Sequence, residues 1–295
     1  MTTWWQLASL LLGPDRTHAD RTYALLGDRV LGETTMYNNL GYWDGATTFD
    51  DACQAMAHQL AIAVGMRGGD RVLDCGFGFA DQDLYWATAF EPAQIIGLNI
   101  TALQVERART RVAERGLADR IDLRLGSATA MPVPAGTIDR VTALESAFHF
   151  ASREEFFAEA FRVLRPGGTF GAADMIARDG RRRSVRDRIE LGVLCAFWQA
   201  PRANFCSAAA YRTQLEAAGF RNVQVRSIRE YVYTPFARYL AAHRLPEARG
   251  VDRVIAAIVQ GGADERVWEQ YDYVLATGEK PSSTGPATTP SVSKT

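Results

Sequence analysis

Cysteine and histidine are scarce in this chain, and their spacing argues against several kinds of site. The 295 residues include four cysteines and four histidines, with no Cys-x-x-Cys pair and no Cys/His cluster. This pattern argues against a structural zinc site and a disulfide framework, and it indicates a reducing, cytoplasmic environment. We therefore predict no metal site.

An excess of one charge and a long apolar run are also missing. The chain has 33 basic and 34 acidic residues, which gives no basic excess for binding nucleic acid. The most apolar run near the N-terminus, Trp4–Leu12, is too short to span a bilayer and lacks a preceding basic segment. We expect neither nucleic acid nor a membrane as a partner, and composition leaves open whether the chain forms a homo-oligomer.

What the chain does have is a regular alternation of short apolar strands and amphipathic helices. Strands are predicted at Arg71–Cys75, Ile95–Ile100, Ile121–Leu125, Ile138–Leu144, Thr169–Ala173, Val223–Ile228 and Tyr273–Ala276. Helices are predicted at Asp50–Met66, Gln82–Phe90, Leu103–Arg115, Glu154–Leu164, Ser207–Ala218, Tyr231–Leu245 and Val251–Val259. Such alternation is typical of βαβ units, and it predicts a doubly wound, mostly parallel α/β sheet.

The chain divides into five parts by this pattern. Residues 1–49 are predicted to form an N-terminal helical cap, and residues 50–177 the ligand-binding α/β core. Residues 178–206, rich in arginine and then in aromatics, are predicted to be a lid insertion. Residues 207–278 complete the core with inserted helices. The Ser/Thr/Pro-rich residues 279–295 are predicted to be disordered, because they offer too little apolar surface to bury.

The stretch VLDCGFGFADQD indicates a ligand-binding turn. Gly76, Gly78 and Ala80 follow a strand and open a helix, where glycines let a ligand approach the backbone. A dinucleotide fingerprint would continue with Gly or Ala, but Asp81 stands there, and Asp74 ends the strand. Two carboxylates disfavour a pyrophosphate and suit a ligand with an ammonium group and positive charge, such as S-adenosylmethionine. The alternative is an ordinary tight turn between strand and helix.

The ends of the next two strands supply further candidate ligand contacts. Asn99, with Gln104 one turn into the following helix, is placed to bind ribose hydroxyls, and Ser127 and Ala128 lie where an adenine edge would fall. A polar turn residue and a plain loop serine are the alternatives at these positions.

The candidate catalytic residues follow the fourth and fifth strands. Of the four histidines, His149 alone lies at the predicted carboxyl edge of the sheet, and it is the candidate general base. Glu145 is placed to orient His149, or to contact substrate or cofactor. Asp174 faces the same edge as a substrate contact. Alternatively, His149 packs beside the cofactor as a loop residue and Glu145 caps a turn. A separate alternative is that Glu145 and Asp174 together bind Mg²⁺ weakly.

Aromatic residues are the candidates for covering the cofactor and lining the acceptor pocket. Tyr37 is assigned to the cofactor, whose sulfonium an aromatic face stabilises, and Tyr42 and Trp43 to the substrate. Phe197 and Trp198 are assigned to the acceptor pocket as well. Ordinary hydrophobic packing is the alternative for each.

Several motifs together carry a family resemblance over roughly residues 35–278. They are VLDCGFGFADQD, IIGLNIT, GSATAMPVPAGTIDRV, ALESAFHF, EAFRVLRPGG, YDYVLATGEKP and, ahead of the core, NLGYW. This set resembles class I S-adenosylmethionine-dependent methyltransferases, and more narrowly the erythromycin-type and microcystin-type small-molecule O-methyltransferases. Cys75 replaces a small aliphatic residue, and Asn99 stands where many such enzymes have an acid.

The resemblance implies a fold, a cofactor and a reaction. The expected fold is a Rossmann-like sheet of seven strands. S-adenosylmethionine is the expected cofactor and S-adenosylhomocysteine its product, and the acceptor is a hydroxyl of a bulky natural product, such as a macrolide sugar or polyketide in antibiotic biosynthesis. Two alternatives stay open. One is carbon methylation of an isoprenoid diphosphate or an aromatic ring, and the other is a non-methylating cyclase or accessory protein that keeps the cofactor site.

Overall fold

A computed structural model describes residues 32, 34–180, 192, 195, 200–243 and 260–282. Its centre is a seven-stranded sheet, which confirms the predicted fold class. The strands are β1 (Arg71–Cys75), β2 (Gln94–Asn99), β3 (Ile121–Leu125), β4 (Ile138–Leu144), β5 (Leu164–Ala177), β6 (Arg221–Ser227) and β7 (Tyr271–Glu279).

Six α-helices lie wholly within the described residues. They are α1 (Phe49–Ala63), α2 (Asp81–Ala89), α3 (Ala102–Glu114), α4 (Arg153–Val163), α5 (Ala208–Ala217) and α6 (Tyr233–Ala242). Three of them begin at a hydroxyl cap, because the side chains of Thr48, Ser152 and Ser207 each accept a hydrogen bond from a backbone N–H in the first turn.

Strand order places the candidate site at the middle of the sheet. The order is β3-β2-β1-β4-β5-β7-β6, with β7 antiparallel to both of its neighbours and the other pairs parallel. All seven residues of β4 are buried, as expected for a strand covered on both faces. The chain reverses its direction of winding between β1 and β4, and ligands of doubly wound sheets bind at the carboxyl ends of such strands.

The fifth strand is longer than the sequence pattern predicts. The sequence pattern predicts Thr169–Ala173, because Pro166, Gly167 and Gly168 form a signal that stops the preceding helix. That signal ends α4, as expected, but the chain continues directly in extended form. Gly167 donates to the Lys280 carbonyl over 2.8 Å, and the Lys280 N–H donates to the Gly168 carbonyl over 2.9 Å. Lys280, directly after β7, therefore pairs with Gly167 and Gly168, which the sequence pattern leaves outside the strand.

Several predicted features lie wholly or largely outside the described residues. They are the helix Val251–Val259, most of the N-terminal cap, much of the lid insertion, and the tail beyond residue 282. The proposed division into cap, core and lid stays a prediction. Among the residues that are described, no helix has both the length and the apolar character needed to cross a bilayer.

Candidate active site

The glycine turn after β1 is built from three residues with left-handed backbone. Gly76, Gly78 and Ala80 have φ values of 88°, 56° and 65°. A Cβ on Gly76 would lie 2.4 Å from the Cβ of Ser146, so this glycine is required by packing within the protein. A Cβ on Gly78 would meet only Asn38 Nδ2, at 3.4 Å, so this glycine leaves its surface open.

Asp74 lies fully buried at the floor of this turn. Its carboxylate accepts hydrogen bonds from Thr142 Oγ1 over 2.9 Å and from Gln82 Nε2 over 3.0 Å. Burial raises the pKa of Asp74 to about 6, although these two hydrogen bonds act in the opposite direction. The site therefore holds a carboxyl group that has no cationic partner among the described residues.

A second buried carboxyl group lies close by, and sequence reasoning missed it. Asp83, in the first turn of α2, has no exposed surface, and neither of its oxygens has a hydrogen-bond partner within the described residues. Burial raises the pKa of Asp83 well above its ordinary value, and the neighbouring charges of Asp74 and Asp81 raise it further. An unpaired carboxylate is costly in such a place, so the protein favours the protonated form.

Replacing Asp83 with asparagine should stabilise the protein at neutral pH. The pKa of this group is raised by folding, so its contribution to stability is fully present below the unfolded pKa of about 3.9 and is lost as pH rises through the folded pKa. Urea unfolding should give equal stabilities for wild type and Asp83→Asn near pH 4, and a more stable variant near pH 8. Asp44→Asn, at an exposed position, is the control. A variant that is less stable at both pH values would contradict the account.

Asp81 differs from Asp74 and Asp83, because it forms an ion pair with an arginine. Arg111 of α3 forms a bidentate ion pair with it, with distances of 2.6 and 2.7 Å, and also contacts the Phe79 carbonyl. The Tyr37 hydroxyl donates to the Asp81 carbonyl over 3.3 Å. Asp81 therefore fixes α2 against α3, and Tyr37 lies beside the glycine turn.

The ends of β2 and β3 hold the residues predicted to contact a ribose and an adenine. Asn99 Nδ2 donates to Gln104 Oε1 over 2.9 Å and lies 3.4 Å from the Gly78 carbonyl, so this pair adjoins the glycine turn. Ser127 Oγ lies 2.9 Å from Thr129 Oγ1, and Ala128 is buried. The ligand contacts assigned to these residues stay predictions.

Glu145 lies directly after β4, and its side chain is hydrogen-bonded to the segment ahead of α1 and to β7. Its Oε1 accepts hydrogen bonds from the Leu40 backbone N–H and from the Tyr273 hydroxyl, each over 2.6 Å. Its φ of 46° is uncommon for a residue other than glycine, and such outliers cluster at functional sites. Burial raises the pKa of Glu145 to about 7, against the lowering effect of these hydrogen bonds. A proton can therefore be gained or lost here near neutral pH.

His149 ends the short 3-10 turn Ala147–His149, which follows Glu145. Its backbone N–H donates to the Ser146 carbonyl over 3.0 Å, and its ring lies 3.9 Å from that of Phe148, between centroids. The side chain is partly exposed, in contrast to the buried Phe148. The structure thus brings His149 and Glu145 to the same loop, at the carboxyl edge of the sheet.

Asp174, predicted as a substrate contact, is fully buried within β5. Arg153 Nη2 lies 2.9 Å from its Oδ2, and the Tyr211 hydroxyl donates to the same oxygen over 3.2 Å. Contact with a substrate stays a prediction, and this buried ion pair argues against it. The pair also argues against Mg²⁺ between Asp174 and Glu145. Among the described residues, no group of three or more potential metal ligands occurs.

Two of the predicted acceptor-pocket aromatics pack against the helical segments after β6. Tyr42 stacks on Tyr231 with ring centroids 4.9 Å apart, and Trp43 lies 4.9 Å from Tyr239. Their substrate contacts stay predictions. Phe197 and Trp198 lie outside the described residues.

Comparisons with known proteins identify the family. A family model described as a methyltransferase domain matches residues 73–172. The chain is 36% identical to erythromycin 3''-O-methyltransferase of Saccharopolyspora erythraea, over 84% of each chain. It is 29% identical to methyltransferase GfsG of Streptomyces halstedii, over 82% of this chain and 86% of that one.

A solved structure extends the similarity to almost the whole chain. The crystal structure of the 4+2 cyclase SpnF matches with a TM-score of 0.68 and 26% identity, over 96% of this chain and 97% of that one. The sheet order, the glycine turn after β1 and the matched relatives agree with one another, and the chain belongs to the class I S-adenosylmethionine-dependent methyltransferases.

Proposed function

We propose that this enzyme transfers a methyl group from S-adenosylmethionine to a hydroxyl of a bulky secondary metabolite, such as a macrolide sugar or a polyketide. The observation that carries the proposal is the 36% identity with erythromycin 3''-O-methyltransferase over 84% of each chain. A match of that length extends well beyond the α/β core of residues 50–177, into parts of the chain where acceptor binding is predicted.

The residues around the glycine turn fit this cofactor. Asp74 is a buried carboxyl group with no cation beside it among the described residues, and a Cβ on Gly78, four residues later, would meet only Asn38 Nδ2. A ligand that carries an ammonium group and a sulfonium would supply the missing positive charge. When bound, S-adenosylmethionine supplies a methyl group on an electron-poor sulfur, and S-adenosylhomocysteine is the product.

Nine residues are proposed to hold the cofactor. The methionine end is assigned to Asp74, Gly76, Gly78, Tyr37 and Glu145. The ribose is assigned to Asn99 and Gln104, which form one hydrogen-bonded pair. The adenine edge is assigned to Ser127 and Ala128, at the end of β3.

Replacing Gly78 with alanine should lower the affinity for S-adenosylhomocysteine at least tenfold, or about 1.4 kcal/mol. The added methyl group would occupy surface that the protein itself leaves open, where the ligand is proposed to approach the backbone. Isothermal titration calorimetry measures the effect. The more disruptive Gly78→Val should bind more weakly still.

A second glycine separates ligand contact from backbone strain. Gly65 has φ of 64°, close to the 56° of Gly78, and a Cβ at this position would have no atom within 4 Å. Alanine at either position carries a similar left-handed penalty of roughly 1–2 kcal/mol. Gly65→Ala should therefore lower the melting temperature by the same amount as Gly78→Ala. It should leave the affinity for S-adenosylhomocysteine unchanged. Equal affinities for Gly78→Ala and wild type would remove the glycine turn from the cofactor site.

The proposed catalytic residues act on the acceptor's proton. The His149 imidazole accepts the proton that the hydroxyl loses as its oxygen is methylated, and Glu145 orients the reacting groups. Tyr42, Trp43, Phe197 and Trp198 are proposed to line the acceptor pocket and exclude water. Asp174 is also proposed to contact the substrate, although Arg153 and Tyr211 already bind its carboxylate.

A second candidate function is cyclisation without methyl transfer. It is favoured by the 26% identity to SpnF, a 4+2 cyclase, over 96% of this chain. Such an enzyme would convert a polyene or related precursor into an isomer of equal mass. The two functions are therefore separated by the mass of the product.

The test is an acceptor panel with purified protein and methyl-labelled S-adenosylmethionine. Macrolides and polyketides with a free hydroxyl should gain one labelled methyl group, and matched compounds with that hydroxyl removed should gain none. An isomer of unchanged mass would instead support the cyclase, and methylation of the compound without the hydroxyl would support carbon methylation.

A further inference from the structure

The loop that carries His149 is fixed by a residue from a distant part of the chain. Asn204 lies in a second 3-10 turn, Arg202–Asn204, which precedes α5. Its Nδ2 donates to the Phe148 carbonyl over 3.0 Å and to the Phe150 carbonyl over 2.8 Å. These two carbonyls belong to the residues on either side of His149.

These two bonds use both hydrogens of the Asn204 primary amide. Two acceptors are bound by one nitrogen, which must therefore carry two hydrogens that point in different directions. An aspartate of the same shape has no hydrogen to donate, and a serine has only one. Asn204 is also 3% exposed, so water has little access to replace either bond.

Asn204 is itself held in place by the sheet. Arg153 Nη1 donates to the Asn204 backbone carbonyl, while Arg153 Nη2 pairs with Asp174 in β5. The N–H of Ala177, the last residue of β5, donates to the Cys206 carbonyl over 3.0 Å. The buried ion pair, the end of β5 and the 3-10 turn thus form one support under the His149 loop.

The peptide groups around His149 are fixed from several directions. The His149 N–H is bound by the Ser146 carbonyl over 3.0 Å, and the Phe150 N–H by the Ala147 carbonyl over 3.3 Å. Ser146 Oγ in turn donates to the Cys75 carbonyl, at the end of β1. Without Asn204, the Phe148 and Phe150 carbonyls lose their bonds to the 3-10 turn. The other contacts that hold the loop remain, including those of Ser146 and Glu145 and the bond from the Phe148 N–H to Asp174.

We propose that Asn204 is a positioning residue for His149, which it acts on through the carbonyls of Phe148 and Phe150. The inference rests on the proposed role of His149 as the general base. A base must lie within hydrogen-bond reach of the proton it accepts, and a misplacement of about 1 Å can cost roughly 10²-fold in rate. Asn204 is not proposed to contact the transferred proton or the cofactor.

The test combines kinetics with a double-mutant cycle. Asn204→Ala should lower kcat roughly 10- to 100-fold and leave the affinity for S-adenosylhomocysteine unchanged. It should also keep the rise of rate with pH, because the base is still present. Asn204→Asp should be at least as slow as Asn204→Ala, and Asn204→Ser should lie between Asn204→Ala and wild type. In the His149→Ala background, Asn204→Ala should have no further effect, since the two residues act as one unit.

Tyr211→Phe is the matched control. It removes one bond to Asp174 from the same buried network but no bond to the His149 loop, so kcat should stay near the wild-type value. Asn204→Ala keeps the backbone carbonyl that Arg153 binds, so the support itself is retained. Independent, multiplicative effects of Asn204→Ala and His149→Ala on kcat would overturn the proposal.

Nuclear magnetic resonance of the histidine side chains separates this inference from the catalytic assignment. The His149 imidazole signal is identified by its loss in His149→Ala. It should shift or broaden in Asn204→Ala and remain in place in Tyr211→Phe. An unchanged signal in Asn204→Ala overturns the positioning role. Full activity of His149→Ala overturns the role of His149 as base, whatever the signal shows.

Discussion

Replacing His149 with alanine is expected to lower kcat by roughly 10² to 10⁴ with little change in cofactor affinity. The imidazole is the proposed acceptor of the hydroxyl proton, and it lies on the loop after β4 beside Glu145. Because only the neutral imidazole accepts a proton, the wild-type rate should rise with pH, and the variant should lose that rise. Steady-state kinetics across the pH range measures both effects.

The comparison with glutamine decides whether basicity or hydrogen bonding matters. His149→Gln keeps a polar side chain of similar reach but accepts no proton, so it should be nearly as slow as His149→Ala. Burial raises the pKa of Glu145 to about 7, so this carboxyl group also titrates near neutral pH. If His149→Gln is active and the rise with pH persists, the rise should disappear in Glu145→Gln, and Glu145 would then be the base.

Replacing Arg153 with methionine is expected to destabilise the protein by about 3–5 kcal/mol. The change leaves the Asp174 carboxylate buried, with the Tyr211 hydroxyl as its remaining side-chain partner. It also removes the contact of the guanidinium with the Tyr211 ring, at 4.7 Å, and the bond to the Asn204 carbonyl. Chemical unfolding near neutral pH measures the loss.

An exposed ion pair supplies the control for Arg153. Arg124 lies 2.5 Å from Asp122, with both side chains more than a third exposed, and Arg124→Met should cost less than about 1 kcal/mol. The double variant Arg153→Met/Asp174→Asn should recover much of the lost stability, because it no longer buries an unpaired carboxylate. A similar loss in Arg153→Met and Arg124→Met would show that burial of the pair contributes little.

The core of the sheet was predictable because its physical signals are local. The strands Arg71–Cys75, Ile121–Leu125 and Ile138–Leu144 have the predicted bounds, and each is a short apolar run between turn signals. The fifth strand was predicted too short, since the Pro-Gly-Gly signal correctly ends a helix but does not exclude extended backbone afterwards. Its pairing with Lys280 depends on residues more than a hundred positions away.

The candidate site was predictable in part for the same reason. Gly76 and Gly78 are residues that permit the positive φ values observed there, and the order of strands brings Asn99 beside Gly78. Asp83, Arg153 and Asn204 were missed, because burial and partners decide their importance. Nothing in a sequence shows that an aspartate lacks a partner, or that one asparagine binds two carbonyls of a loop fifty residues earlier.

Methyl transfer to a hydroxyl oxygen is tested best by locating the transferred methyl group in the product. Purified enzyme is incubated with a macrolide or polyketide acceptor and S-adenosylmethionine labelled with ¹³C at the methyl carbon, and the product is analysed by nuclear magnetic resonance. Methylation of the hydroxyl should give a labelled methoxy group, with a long-range correlation from its protons to the carbon that carried the free hydroxyl. A labelled methyl group bonded to carbon, or an unlabelled cyclised product, would contradict it.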